Sequence, residues 1–501
     1  MSFVKKLASQ TALYGLTNVS RLINFLILAK LHSTVLSQAE SGVQGNFYAY
    51  ISFFNILFTY GLETAFFRFA NKTQDPKAVF GTAYISLMSS SVLLIFLGWS
   101  IWPTLASFTG FASQPKYLLY LGAILLVDTL SAIPYAGLRQ QNRPIKFAVI
   151  KIAGMLVFLL LNLFFLWFCP SVSEGKICSF AQGWINSFYI PQNNLEYIFL
   201  ANLISSLFSF ILLGPQIFGF KYGFDKQLWK QMMQFAGPLL LVGLLGMTNE
   251  TLDRILIPKL IDGQEGLIQN GIYSQCYKIS IFLTVFVQAF RYAAEPFFFS
   301  KANDSNAPKI YALVMDWFVL VCVVVITILL LYIDIAKHLL DEKFWEGIKI
   351  VPILLFANLF MGINTNLSIW YKVTDKTSWG ILIAFCGAFL TVLLNIIWIP
   401  QMGYLGAAWA TLWSYLGMAT LSYFIGQKHY KVPYNISRFF ILLFSTVALV
   451  AISDLLIYHL DLIGFWPKTT LNTGLLILYL FLVWKLYINK LRIESRVFSG
   501  S

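Results

Sequence analysis

Thr284-Val-Phe-Val-Gln-Ala-Phe-Arg-Tyr-Ala-Ala-Glu295, inside the hydrophobic run 271–297, decides how the whole chain is read. On a helix turning about 100° per residue, Tyr273, Tyr277, Thr284, Gln288, Arg291 and Glu295 fall on one narrow stripe. The flanking positions Ile281, Phe282, Leu283, Val285, Phe286, Val287 and Phe290 are apolar. A charge at bilayer depth costs at least about 2.5–3.5 kcal/mol, so such a stripe normally faces protein or a water-filled cavity. The stretch predicts a membrane-spanning helix with one polar face, and a bundle built around a cavity.

The composition agrees. Of 501 residues, 58% are hydrophobic and 11% charged, whereas soluble domains run at about 45–50% and 25%. The fold class is an all-α polytopic membrane protein. A net charge of +13 fits basic loops held against anionic lipid, not a nucleic-acid partner. No Ala-x-Ala-like site follows Met1-Ser-Phe-Val-Lys-Lys6, so no removed signal peptide is expected. Cys276, Cys322 and Cys386 fall in predicted spans, while Cys169 and Cys178 share one loop and could pair in an oxidising compartment. His32, His338, His429 and His459 lie in or near separate loops, so no metal site is expected.

Apolar windows of about 20 residues predict 14 transmembrane helices: 11–31, 46–68, 79–102, 117–138, 147–168, 196–218, 236–257, 271–297, 310–332, 348–371, 379–399, 404–426, 436–458 and 466–487. The loops on one side, from Lys5 and Lys6 through Arg139 and Arg143 to Arg492 and Arg496, collect 23 basic residues against eight on the other. The positive-inside rule then puts both termini in the cytoplasm. The chain divides into an N-lobe (1–218, spans 1–6), a cytoplasmic linker (219–235), a C-lobe (236–428, spans 7–12) and a C-terminal helix pair with a tail (429–501).

The lobes look related. Gly15-Leu-Thr-Asn18 resembles Gly246-Met-Thr-Asn249 at an offset of 231 residues. Tyr60, Glu63, Phe66, Phe67 and Asn71 match Tyr292, Glu295, Phe298, Phe299 and Asn303 at 232, and Arg139 and Arg143 match Lys372 and Lys376 at 233. A near-constant offset at three places predicts a six-helix repeat. Six is even, so both copies share one orientation about a pseudo-two-fold axis along the membrane normal.

Buried charge concentrates in equivalent spans. Span 1 carries Thr17, Asn18, Arg21 and Asn24 on one half of its wheel, and span 2 carries Tyr48, Ser52, Asn55, Thr59 and Glu63 on one stripe. Span 7 carries Asn249, Glu250, Asp253 and Arg254, and span 8 adds Lys278 to its stripe. Glu250 with Arg254 and Arg291 with Glu295 stand at i,i+4, where they could simply neutralise each other. Arg21 has no acid within its own helix, and a guanidinium fork suits phosphate. Asp128 and Asp316 are the other span carboxylates; they are ion-pair or coupling candidates that could bind a cation, although a lone carboxylate near a helix end is more often structural. No G-x-x-x-x-G-K-[ST] loop is present, which excludes ATP hydrolysis at such a site. No outer domain or paired outer carboxylates suggest an enzyme.

This organisation resembles the multidrug/oligosaccharidyl-lipid/polysaccharide (MOP) exporter superfamily. Gln288-Ala-Phe-Arg-Tyr-Ala-Ala-Glu-Pro-Phe-Phe-Phe299 and Gly403-Tyr-Leu-Gly-Ala-Ala-Trp-Ala-Thr-Leu-Trp-Ser414 resemble spans 8 and 12 of bacterial polysaccharide-biosynthesis flippases. The resemblance implies a Wzx-type flippase of the bacterial inner membrane. Such a protein moves undecaprenyl-diphosphate-linked oligosaccharide to the periplasmic leaflet by alternating access, for O-antigen, capsule or exopolysaccharide synthesis. It implies a basic cavity in which Arg21, Arg254, Lys278 and Arg291 hold the diphosphate while Asn18, Asn55, Gln288 and tyrosines meet the sugar. Glu63, Glu250, Asp253 and Glu295 stand close by as ion-pair or coupling residues. No cofactor is expected; coupling to Na⁺, H⁺ or membrane potential fits the missing nucleotide motif. Membrane lipid and other polysaccharide-assembly membrane proteins are the expected partners. The alternatives are a drug/cation antiporter of the same fold, a lipid II flippase and, from a different class, a membrane polysaccharide polymerase.

Overall fold

The structure is a computed structural model that describes residues 22–488, apart from 74, 142, 220–222, 303 and 463. The described residues are almost wholly helical, with no strand among them. Each of the 14 predicted spans has a helical counterpart: Leu22–Val35, Gln38–Thr59 with Leu62–Ala70, Pro76–Ser100, Lys116–Gln140, Pro144–Ser173, Asn194–Leu212, Lys226–Leu260, Gly263–Lys301, Ala307–Leu331, Glu342–Val373, Ser378–Met402, Tyr404–His429, Ile436–His459 and Phe465–Ile488. Ten of these helical stretches are long and apolar enough to cross a membrane. The other passages include spans 2 and 8, whose polar faces dilute their apolarity, and span 1, whose described helix Leu22–Val35 is apolar but short.

Local chemistry sets where the helices begin. Ser37 and Glu40 close a reciprocal capping box on span 2, and Asp75 caps span 3 just ahead of Pro76. Spans 11 and 12 turn in a single residue, Gly403, at φ +61°. A Cβ there would also meet the Gln269 amide, so only glycine permits so short a turn.

The chain forms two compact units, Met1–Ile255 and Leu256–Ser501. This division differs from the lobe boundaries read from sequence, because span 7 starts early and packs mostly into the first unit. The segment expected as a linker is helical from Lys226; there the Trp229 indole donates to Ser86 Oγ at 2.8 Å, and Met232 and Ala236 are fully buried. The first unit has one core around Phe47, Ile124 and Phe199, with the Phe47 and Phe199 rings stacked at 3.8 Å. A second core surrounds Leu62, Phe66, Phe80 and Ile133. The second unit is built on Tyr273, Phe318, Phe344 and Leu355. The C-terminal helix pair joins that core through Leu442, Tyr479 and Val483, and Thr446 meets Thr327 at 3.0 Å. Phe96, Leu160, Phe389, Phe444 and Ile477 are exposed on outer helix faces, as lipid contact requires.

Span 2 departs from the single helix expected at 46–68. It breaks at Tyr60 and Gly61, with φ +34° and +72°, whereas span 8 runs unbroken through the matching Tyr292 and Ala293. A Cβ on Gly61 would lie 3.0 Å from Leu239 Cβ and 3.2 Å from the Ala236 carbonyl oxygen, so the break lets span 7 approach span 2 closely. Gly61→Ala should therefore cost about 2 kcal/mol or more through overpacking and a left-handed backbone. A lower melting temperature of the purified protein is the expected readout.

The segment 169–190 folds into short helical turns, Cys169–Ser173, Ser179–Ala181 and Gln182–Asn186. Cys169 is buried and Cys178 exposed, and both are free thiols. His32, read as in or near a loop, is buried near the end of span 1, where its Nε2 lies 2.8 Å from Asn162 Oδ1 and its Nδ1 is 3.1 Å from Gln44 Nε2.

Candidate functional site

Glu63 sits just past the break in span 2, in a short helix that buries Leu62 and Phe66 and leaves the carboxylate half-exposed. Arg139, at the end of span 4, donates Nη2 to Glu63 Oε1, and its guanidinium lies 4.9 Å from the Phe67 ring centre and 5.5 Å from that of Phe147. In the second unit, Lys372 at the end of span 10 donates Nζ to Glu295 Oε1 at 2.8 Å. Glu63 and Glu295 stand 232 residues apart, Arg139 and Lys372 stand 233 apart, and each acid is held by the base of its own unit. The sequence repeat thus recurs as one contact made twice, tying span 2 to span 4 and span 8 to span 10. The second pair lies in a narrow crevice with Arg291, Asn366 and Ser368. Both pairs are partly solvent-exposed, so each contributes at most about 1 kcal/mol. Glu63→Gln and Glu295→Gln should each lower stability by no more than that, and additively, because they lie in separate units; thermal melts of the single and double variants measure it.

The opening stripe of span 8 is not exposed along its whole length. Tyr273 and Tyr277 are buried in the core of the second unit. Thr284 is half-buried and its hydroxyl finds no partner among the described residues. Gln288 and Arg291 are exposed. The polar stripe is therefore accessible only in its second half, because the first half packs on Phe344 and Ile257.

Lys278 is half-buried in the first half of span 8, beside Gln275 and Tyr277. Its Nζ donates to Gln275 Oε1 at 2.7 Å, and no salt bridge reaches it among the described residues. On span 7, Asn249 and Asp253 are buried, Glu250 is exposed and Arg254 is half-buried. Asp253 accepts the Arg254 backbone N–H at 2.8 Å. The candidates thus divide between the units: Asn55, Glu63, Asp128, Glu250, Asp253 and Arg254 in the first, Lys278, Gln288, Arg291, Glu295 and Asp316 in the second. Asn18 and Arg21 lie outside the described residues.

Other polar side chains serve helix packing. Asn24 donates to the Met155 carbonyl at 2.9 Å, and Tyr48 accepts from Asn202 at 3.2 Å. Asp128 is held by Ser206 of span 6, with Lys151 of span 5 as the cation in its field. Asp316 accepts from Arg438 Nη1 of span 13 at 2.9 Å, on the wall of an apolar cavity of about 310 Å³. Of the two roles read for Asp316, ion pair or coupling, this contact is the ion pair. Sequence reasoning placed Arg438 among the loop cations and missed it as this partner.

Residues 3–302 match the family described as "Polysaccharide biosynthesis protein". The chain belongs to the polysaccharide biosynthesis protein family. No curated protein matches this family member in sequence. Among solved structures it is similar to lipid II flippase MurJ in an inward closed conformation, with TM-score 0.69 and 15% identity, covering 95% of this chain and 99% of that one. It is also similar to an inward-facing multidrug resistance MATE family transporter of the MOP superfamily, with TM-score 0.62 and 11% identity over 83% and 94% of the two chains. A Vibrio cholerae MATE transporter, VcmN, follows at TM-score 0.56 and 15% identity over 85% and 96%. The fold is that of the MOP exporters.

Proposed function

We propose that this family member flips an undecaprenyl-diphosphate-linked oligosaccharide across a bacterial inner membrane by alternating access, feeding surface polysaccharide synthesis. The observation that carries the reading is Lys278, a half-buried cation on a membrane-spanning helix whose described hydrogen-bond partner is a neutral amide. A membrane protein bears the cost of such a charge where an anion must be met. A diphosphate supplies that anion; a cationic drug does not. In this reading Arg21, Arg254 and Arg291 complete the cationic set, and Asn18, Asn55 and Gln288 meet sugar hydroxyls. Asp128 and Asp316 are assigned to helix packing, and Glu250 and Asp253 to coupling to Na⁺ or H⁺. The test is binding to the purified protein of a short-chain prenyl-diphosphate disaccharide against a cationic dye. Saturable binding of the diphosphate, weakened about tenfold or more in Lys278→Gln, is the expected result. Preferential binding of the dye would overturn the reading in favour of an antiporter.

A further inference from the structure

A recess of about 210 Å³ lies where the end of span 9 meets the start of span 14, on the side of the protein opposite the basic loops. Its walls come from Tyr332, Asp334, Lys337 and His338 on one stretch and from Phe465, Lys468, Thr469 and Asn472 on another. The two stretches are fastened together. Asn472, itself buried, donates to the Leu331 carbonyl at 2.6 Å and accepts from Ser453 at 2.5 Å, and the Tyr332 and Thr473 hydroxyls meet at 2.8 Å.

The recess carries surplus positive charge. Lys337 is already matched, its Nζ lying 2.6 Å from Asp334 Oδ1 and 4.7 Å from the Trp345 ring centre. That hydrogen bond, with the fields of Lys468 and His338, holds the Asp334 carboxyl below the usual carboxylate range. Lys468 makes no hydrogen bond or ion pair within the described residues, and the nitrogens of His338 make no hydrogen bond there. Asp454 of span 13, which also lies near Asp334, does not line the recess. No side chain caps the first turn of span 14, so its orphan N–H groups add to the positive field.

We propose that this recess binds the phosphate of an anionic membrane lipid, with the Lys468 ammonium and the His338 imidazole as the groups that contact it. A lipid is favoured over a free anion by position. Span 9 has 25 residues, about 37 Å of helix, so its end reaches the headgroup layer. Phe465, Trp466 and Ile335 stand exposed around the recess, the first two on the same turn as Lys468. Aromatic rings beside a cation at that depth suit a headgroup whose acyl chains run down the outside of the bundle. The inference does not depend on the transported substrate.

The test uses full-length protein in neutral detergent, titrated with dioctanoyl phosphatidylglycerol, dioctanoyl phosphatidylcholine or inorganic phosphate and followed by thermal shift. Phosphatidylglycerol should bind saturably and raise the melting temperature. Lys468→Gln should weaken that binding about tenfold, Lys468→Arg should retain most of it, and Lys309→Gln, at the other end of span 9, should leave it unchanged. A monodisperse Lys468→Arg protein guards against misfolding as the cause. Equal binding of inorganic phosphate would overturn the lipid assignment, and equal binding by wild type and Lys468→Gln would overturn the site.

Discussion

Lys278→Ala is expected to abolish surface polysaccharide while the protein remains in the membrane at its normal level. The side chain is half-buried in span 8 and is satisfied by Gln275 alone among the described residues, so its removal strands no buried acid partner. Stability should hold or rise, because a cation at bilayer depth is a standing cost of about 2.5–3.5 kcal/mol or more. Function should fall steeply, because each hydrogen bond to a charged group is worth about 1.5–3 kcal/mol, or roughly 10–100-fold in binding. Lys278→Arg should keep part of the output, since it preserves charge while changing reach and donor geometry. Two measurements at matched expression check this: the melting temperature and the amount of surface polysaccharide. Normal polysaccharide from Lys278→Ala would remove this lysine from the transport path. A protein lost from the membrane would make its role structural.

The second large effect concerns Asp316 and Arg438. Their side chains retain only 15% and 22% exposure, on the wall of an apolar cavity. Asp316→Ala removes the carboxylate that faces the Arg438 guanidinium in a largely apolar setting and should destabilise the second unit by about 3–5 kcal/mol. Replacing both partners with apolar residues of similar volume, Asp316→Leu with Arg438→Met, should recover most of that loss or exceed wild type. The sign change separates two roles. If the pair only joins span 9 to span 13, the double variant transports normally. A stable double variant that cannot transport would show that Asp316 takes part in coupling after all.

How much was legible in the sequence follows from where each interaction lies along the chain. Span number, the polar character of spans 1, 2, 7 and 8, and the repeat were readable because apolar runs, helical periodicity and a fixed offset are properties of neighbouring residues. Glu63 matched Glu295, and Arg139 matched Lys372, before any contact was known. That each acid pairs with the base two spans later was not readable, because it requires knowing which helices touch. The i,i+4 spacing of Arg291 and Glu295 pointed to a neighbour in sequence, whereas Glu295 reaches Lys372. Asp316 and Arg438 are likewise joined only by packing across 122 residues. The break at Tyr60 and Gly61 went unread because glycine within an apolar run is common; its cause is the nearness of Leu239. Tyr273 and Tyr277 shared the angular position of Gln288 and Arg291, but periodicity cannot tell which half of a stripe the outer loops and neighbouring spans will cover.

The central claim is that the substrate is a diphosphate-linked oligosaccharide carried from one leaflet to the other. The most direct measurement is made in a strain lacking this protein: which lipid-linked sugars accumulate, and on which leaflet. The account predicts a complete repeat unit on its diphosphate carrier, facing the cytoplasm and cleared when the wild-type protein, but not Lys278→Ala, is restored. Complete units accumulating on the periplasmic face, or unchanged lipid-linked sugars with new sensitivity to cationic dyes, would contradict it.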